Sequence, residues 1–203
     1  EGAIGRLRQE AVKAVSEATE LLVLTDRTVY DGERRWIDPH LATSAIDQAL
    51  KSYRVGSGEV NLRRRCSIVL RSASLRNVHD VALSLGLGAN GVCPYTMVEV
   101  VCVDDYESDV GNLCSALRKG IEKVISTIGT HESRGYARQF SSIGIKPELA
   151  EIFQTEAFAA SEKGGAGFEQ LDADTDARHK ILAGDEEAKP AKTARFYPKV
   201  YKA

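Results

Sequence analysis

Apolar residues recur at helical spacing over the first segment, Ile4 to Thr19, where Leu7, Ala11, Ala14, Val15 and Ala18 share one face. An amphipathic helix is predicted there. "LLVLT" (Leu21–Thr25) follows at once, and its aliphatic run reads as a short buried strand. "DRTVYDGERRW" is polar and turn-rich, hence a loop. Asp38-Pro39 reads as an N-cap followed by proline at the first helical position, opening a helix through Leu41, Ala45, Ile46, Ala49 and Leu50. "GSGEVNLRRR" is a second loop, and "CSIVL" (Cys66–Leu70) a second buried strand. "SASLR" then leads into the helix "NVHDVALSLGL", followed by "GVC" as a third short strand and "PYTMVEVVCV" as a helix. A long helix runs from about Ser108 to Ile125 with Val110, Leu113, Leu117, Ile121 and Val124 on one face. Shorter helices are expected at Ser133–Ser142 and Pro147–Phe153. From "EKGGAG" onward Gly, Ala and charge dominate, so Gly164–Ala191 should be loosely ordered before an extended, docking-type tail, "ARFYPKVYKA".

Helices alternating with strands over short connections mean α/β with parallel strands. The expected fold is a partial parallel sheet flanked by helices, with a helical C-terminal part and an extended tail. Three regions follow: an α/β domain over 1–107, a helical segment over 108–160, and a linker with its tail over 161–203. The order starts on a helix and never completes a set of strands, as part of something larger would.

Composition narrows the partners. The 203 residues are 43% hydrophobic and carry a formal charge of -2, without the basic excess that draws nucleic acid. No apolar run approaches the ~18 residues that span a membrane. The N-terminus is amphipathic and charged, unlike a signal peptide, and no N-x-[ST] sequon occurs, which points to the cytoplasm. Cys66, Cys93, Cys102 and Cys114 form no C-x-x-C pair and are expected to be buried thiols, so no metal is expected.

"GLGANG" (Gly86–Gly91) spells the G-x-G-x-x-G of a dinucleotide loop. Such a loop must follow a strand and open a helix, whose N–H groups receive the pyrophosphate. Here a helix precedes the glycines and a strand follows, so they sit at a carbonyl-presenting helix end. The expected role is a C-cap with Gly86 or Gly88 left-handed, and no binding of NAD(P)H.

"GLGANGVCPYTMVE" resembles the G-x-G-A-x-x-x-x-P-Y-x-x-x-E stretch of the glutamate synthase large subunit, between its amidotransferase and FMN domains. "LLVLTDR" is similar to that family's L-S-D-R strand end, and "IDPHLATSAIDQAL" to its I-P-x-L-L-A-x-x-A-V-H-x-x-L helix. "RNVHDVAL" resembles its R-x-V-H-H-x-A-L through Arg76, Val78 and His79. "KGIEKVISTIGTHESRGYARQFSSIGI" resembles its K-G-x-x-K-V-M-S-K-M-G-I-S-x-x-S-Y-x-G-x-x-F-E-x-I-G-L. Against these patterns Asp47 and Asp80 replace histidines, Arg71 a glutamate, Thr127 a lysine and His131 a serine. The resemblance implies a central region that connects and positions a glutaminase site and an FMN site in an enzyme forming glutamate from glutamine and 2-oxoglutarate. It implies no cofactor in this chain, with FMN and an iron–sulfur cluster elsewhere in the parent. The implied partners are the remaining glutamate synthase domains or subunits, with a homo-oligomer as an option. A non-catalytic α/β scaffold or interaction module is the alternative.

Other constellations are weaker. The turn at Ser126, Thr127 and Gly129 could offer amides to a flavin or an anion, or could simply cap a helix. His79 with Ser72 or Ser74 lacks the G-x-S-x-G elbow of a hydrolase. "DADTDARHKILA" fails as a calcium loop at Ala177 and Ala183 and reads as a solvated linker. Arg63–Arg65 reads as an exposed loop or an interdomain salt bridge.

Overall fold

The computed structural model describes residues 2–31, 34–55, 60–102, 104–140, 142–155, 158–159 and 165–185. Helix α1 (Gly2–Ser16) buries Ile4, Ala11 and Val15, and strand β1 (Leu21–Thr25) follows. Helix α2 (Pro39–Ser52) starts where Asp38 Oδ1 accepts the Leu41 amide at 2.8 Å, with Pro39 at its first position. The first long loop contains the 3₁₀ turn Arg27–Asp31, and β2 (Arg54–Val55) pairs antiparallel with β3 (Val60–Asn61) before another 3₁₀ turn. Two-residue strands carry no period for a sequence reading to detect.

Strand β4 (Ser67–Arg71), helix α3 (Val78–Gly86) and strand β5 (Gly91–Cys93) complete the main sheet, all parallel in the order β1-β4-β5. The sheet is α/β and partial, as the sequence predicts. Its register stacks Leu24, Leu70 and Val92 side by side on the face packed with Leu75 and Ala89, while Ile68 joins Val15, Ile46 and Leu50. The alternate positions point the other way, and there Leu21 is 54% and Val23 52% exposed. One sheet face is covered; on the other the β1 positions are bare, while Ser67, Val69, Arg71, Gly91 and Cys93 are half-buried.

Helices α4 (Tyr95–Val101) and α5 (Tyr106–Thr127) follow; Ile121, Val124 and Ile125 of α5 pack on Ala82 of α3. Strands β6 (Ser142–Ile143) and β7 (Phe158–Ala159) pair in parallel around α6 (Pro147–Phe153), whose Leu149 and Ile152 pack on Ile4, Leu41 and Ala45. Helix α7 runs over Phe168–Leu182.

Two expectations are corrected. The helix expected over Ser133–Ser142 is absent among the described residues: 133–138 form turns and Ser142 opens β6, because Arg138 takes a left-handed φ of 58° and buried Tyr136 packs on Ala82 and Ile125. Helical propensity yields there to a tertiary anchor. The segment expected to be loose from Gly164 contains α7, which Phe168 and Leu171 dock onto the α1–α2–α6 cluster. "DADTDARH" is therefore helix rather than linker, and Asp176 pairs with Arg35 at 3.0 Å. The tail at 196–201 lies outside the described residues.

Trp36, the single tryptophan, reports on that docking. Its ring is buried, the Arg178 guanidinium lies 4.3 Å from its centroid, and Thr175 Oγ1, which donates to the Leu171 carbonyl at 2.8 Å, lies 3.3 Å from the Trp36 carbonyl. Arg178→Ala removes a cation–π contact of about 0.5–1 kcal/mol and opens the ring to water. A red-shifted emission maximum and faster acrylamide quenching are expected; an unchanged spectrum would refute the docking.

Candidate functional site

Parallel strands end at one edge, and in open α/β sheets ligands bind beyond that edge. Strand β1 runs out at Asp26, β4 at Ser72 and β5 at Pro94-Tyr95. Asp26 is buried, and its carboxylate accepts Ser72 Oγ at 2.5 Å, Tyr95 Oη at 2.9 Å and the Ala73 amide at 3.1 Å. Ser72 Oγ in turn accepts the Ser74 amide at 3.0 Å, and Thr96 Oγ1 donates to the Ala73 carbonyl at 3.0 Å. The Arg71 guanidinium covers the Tyr95 ring at 5.1 Å. One carboxylate thus ties three strand ends together. Ser72 is committed to Asp26, while His79 is exposed at the start of α3, so the two do not form a nucleophile–base pair.

The stronger electrostatic feature lies at the opposite end of the strands. Asp47 of α2, 1% exposed, receives three cations: Arg63 Nε at 2.8 Å, Arg138 Nη2 at 2.9 Å and Lys51 Nζ at 2.7 Å. Arg63 is 14% exposed and also donates to the carbonyls of Cys66 and Gly88 at 2.7 Å and to Asn90 Oδ1 at 2.6 Å. Asn90 Oδ1 accepts the Ile68 amide as well, at 2.9 Å. The hub clamps α2 to the entries of β4 and β5 and to the Arg138 turn. Arg63, expected on an exposed loop or in an interdomain salt bridge, instead pairs with Asp47 inside this chain as an internal anchor; Arg64 and Arg65 are exposed. A charge run gives no sign of which of its members turns inward.

"GLGANG" forms the helix-to-strand turn its order predicts. Leu87 caps α3, and the Gly88 and Ala89 amides return to the carbonyls of Leu85 and Ser84, a Schellman closure. Gly88 has φ 116°, and a Cβ there would lie 2.5 Å from Asp47 Cγ. Gly129 closes α5 in the same way, with its amide on the Ser126 carbonyl and that of Thr130 on Ile125. Thr127 Oγ1 donates to the Lys123 carbonyl at 2.7 Å. Ser126, Thr127 and Gly129 are therefore exposed at a helix C-terminus whose Gly129 and Thr130 amides are already used. They do not make a preformed cradle for a flavin phosphate.

A family comparison is decisive here. The sequence model of the glutamate synthase central domain matches residues 1–146. The chain belongs to that family. Among curated relatives, the glutamate synthase [NADPH] large chain of Bacillus subtilis is 29% identical over 191 residues, covering 89% of this chain and 12% of that protein. Glutamate synthase [NADH] of Schizosaccharomyces pombe is 33% identical over 190 residues, covering 88% of this chain and 8% of that protein. The chloroplastic ferredoxin-dependent glutamate synthase of Spinacia oleracea is 27% identical over 194 residues, covering 85% and 11%. The chain thus spans about a tenth of their length.

Within the glutamate synthase framework, Asp47, Arg71 and Asp80, which depart from the pattern, have local partners here. Asp47 is the hub, and Arg71 stacks on Tyr95. Asp80 Oδ2 accepts the Arg76 amide at 2.9 Å, while the N-cap Asn77 accepts the amides of His79 and Asp80. This reciprocal cap is legible as N-x-x-D, though sequence reading did not single out Asn77. His131 and Thr127 are exposed.

The cysteines divide by exposure. Cys66 is buried, and desolvation pushes its thiol pKa up, outweighing the nearby Arg63 charge. Cys93 and Cys102 are half-buried, and Cys114 is exposed on α5, against the expectation of four buried thiols. An apolar helical run covers only one face, and Cys114 lies off it. At mildly alkaline pH iodoacetamide should modify Cys114 first and Cys66 last, because only the accessible thiolate reacts. Peptide mass mapping that finds Cys66 modified first would refute this order. Among the described residues no three His, Cys, Asp or Glu side chains gather as a metal site, and no helix is long and apolar enough to cross a membrane.

Proposed function

We propose that this glutamate synthase central region connects and positions a glutaminase site and an FMN site within a larger enzyme. That enzyme would convert glutamine, 2-oxoglutarate and reductant to two glutamates, with FMN and an iron–sulfur cluster in other domains. The observation that carries this reading is the bare sheet face at Leu21 and Val23 in a chain matching about a tenth of its relatives' length. A sheet with one apolar face open gains most by packing against another domain. The partition at 107 and 160, the cytoplasmic setting, a homo-oligomer and contact of Ser126, Thr127 and Gly129 with a flavin-bearing neighbour belong to the same proposal. A three-stranded sheet is too small to close a flavin-holding barrel, so the purified chain should be colourless and inactive. Absorbance between about 350 and 500 nm tests this, where bound flavin absorbs strongly. In the parent enzyme, Val23→Glu should uncouple glutamine hydrolysis from glutamate formation. A stoichiometric flavin spectrum in the chain, or full coupling in the variant, would overturn the proposal.

A further inference from the structure

Beside the Asp47 hub the surface opens into a cleft of about 340 Å³ between the α2 end, the GLGANG turn and the Ser133–Arg138 turns. Its charged wall residues are Lys51, Arg63, Arg134, Arg138 and Asp47. Four cations surround one carboxylate, an excess of three positive charges in a chain whose formal total is -2. The imbalance is not an exposed lysine-rich patch. Arg63 and Arg138 are each only 14% exposed, and Asp47 is the acid that holds them. Lys51 reaches the same carboxylate from the solvent side, 43% exposed. Arg134 is exposed and has no acidic partner among the described residues. The Nε and Nη1 atoms of Arg138 are buried without a hydrogen-bond acceptor.

Buried donors without acceptors cost about 1–3 kcal/mol each, more when charged. Cations crowded in a partly desolvated cleft repel one another far more than they do in water. The repulsion falls when an anion enters, and its negative charge also offsets the unpaired charge of Arg138 behind the cleft wall. We propose that this cleft is a binding site for a small oxyanion of charge two, a phosphate or a dicarboxylate. Lys51 and Arg134 supply the mobile contacts at the mouth, where Ser133 adds a hydroxyl. Arg63 and Arg138 supply fixed positive field from behind. Arginine forks match the paired oxygens of both anion types, and charge-assisted bonds of this kind are the strong ones. The volume lies at the lower end of the range for small-ligand pockets, enough for such an ion with its bridging waters. The GLGANG turn thus borders an anion site through Arg63, which holds the Gly88 carbonyl, rather than through glycine amides at a helix start. This inference does not depend on the chain's role in the parent enzyme.

Calorimetric titration of the 203-residue chain with sodium phosphate and, separately, with sodium succinate tests it. At least one should bind with Kd below about 1 mM. Raising sodium chloride from about 50 to about 300 mM should weaken that binding several-fold through screening. Arg134→Ala, an exposed position outside the hub, should keep the far-ultraviolet dichroism and weaken binding at least about tenfold. Lys51→Ala should act in the same direction. Saturation by phosphate alone assigns a phosphoryl ligand, and saturation by succinate alone assigns a carboxylate. The proposal is overturned if neither titrant saturates below about 10 mM, or if Arg134→Ala binds as tightly as the parent chain.

Discussion

Asp47→Ala is expected to lower the unfolding free energy by about 3–5 kcal/mol, the cost of deleting one partner of a buried ionic cluster. Arg63 and Arg138 would be left facing each other without the carboxylate that both contact at under 3 Å. Lys51 adds little to this, because its ammonium can turn into water. For a chain of this size the loss corresponds to a fall in Tm of roughly 10 °C. Urea unfolding followed by far-ultraviolet dichroism measures it. A change below about 1 kcal/mol would show that the cluster is surface decoration. Asp47→Ala combined with Arg138→Ala should be less harmful than the sum of the two single changes, since each leaves the same charges unmatched.

Gly88→Val is expected to cost about 3 kcal/mol or more, for two separable reasons. Its φ of 116° is strained for any residue with a Cβ and worst for a branched one. The new Cβ would also lie 2.5 Å from Asp47 Cγ, inside contact distance, so the hub must move. The second term shrinks when Asp47 is already alanine, since only its Cβ remains, 2.8 Å away, whereas the first is unchanged. In that background Gly88→Val should therefore cost at least about 1 kcal/mol less. Equal costs in both backgrounds would show that the Asp47 carboxylate adds nothing to the effect. A stable Gly88→Val would remove the reason for glycine at this turn.

Much of the framework was legible from one-dimensional patterns. Leu21–Thr25 has its expected limits, because four aliphatic residues in five positions leave little choice between turn signals, but it is an edge strand with Leu21 and Val23 exposed instead of a buried one. Asp38-Pro39 marked the start of α2 through a cap and a fixed φ, both local properties. The same logic separated "GLGANG" from a dinucleotide loop, since the order of helix and strand around the glycines is itself written in the sequence. Family membership was legible too, carried by motifs in order over residues that the family model also matches.

What stayed hidden depends on contacts between residues far apart in the chain. Arg63, Arg64 and Arg65 are identical as letters, yet only Arg63 meets a buried carboxylate 16 residues away. Asp47 has only Lys51, one turn on, as a local cation, and Arg138, its buried partner 91 residues on, comes from a segment predicted as helix. Helix α7 has too few apolar positions to announce itself, and its docking rests on Phe168, Leu171 and the Arg178–Trp36 contact. Local sequence determined where the strands and capped helices lie, because caps, periodicity and proline act within one turn of backbone. The tertiary structure alone decided which charges are buried together, because ion pairing and desolvation depend on distance in space and not along the chain.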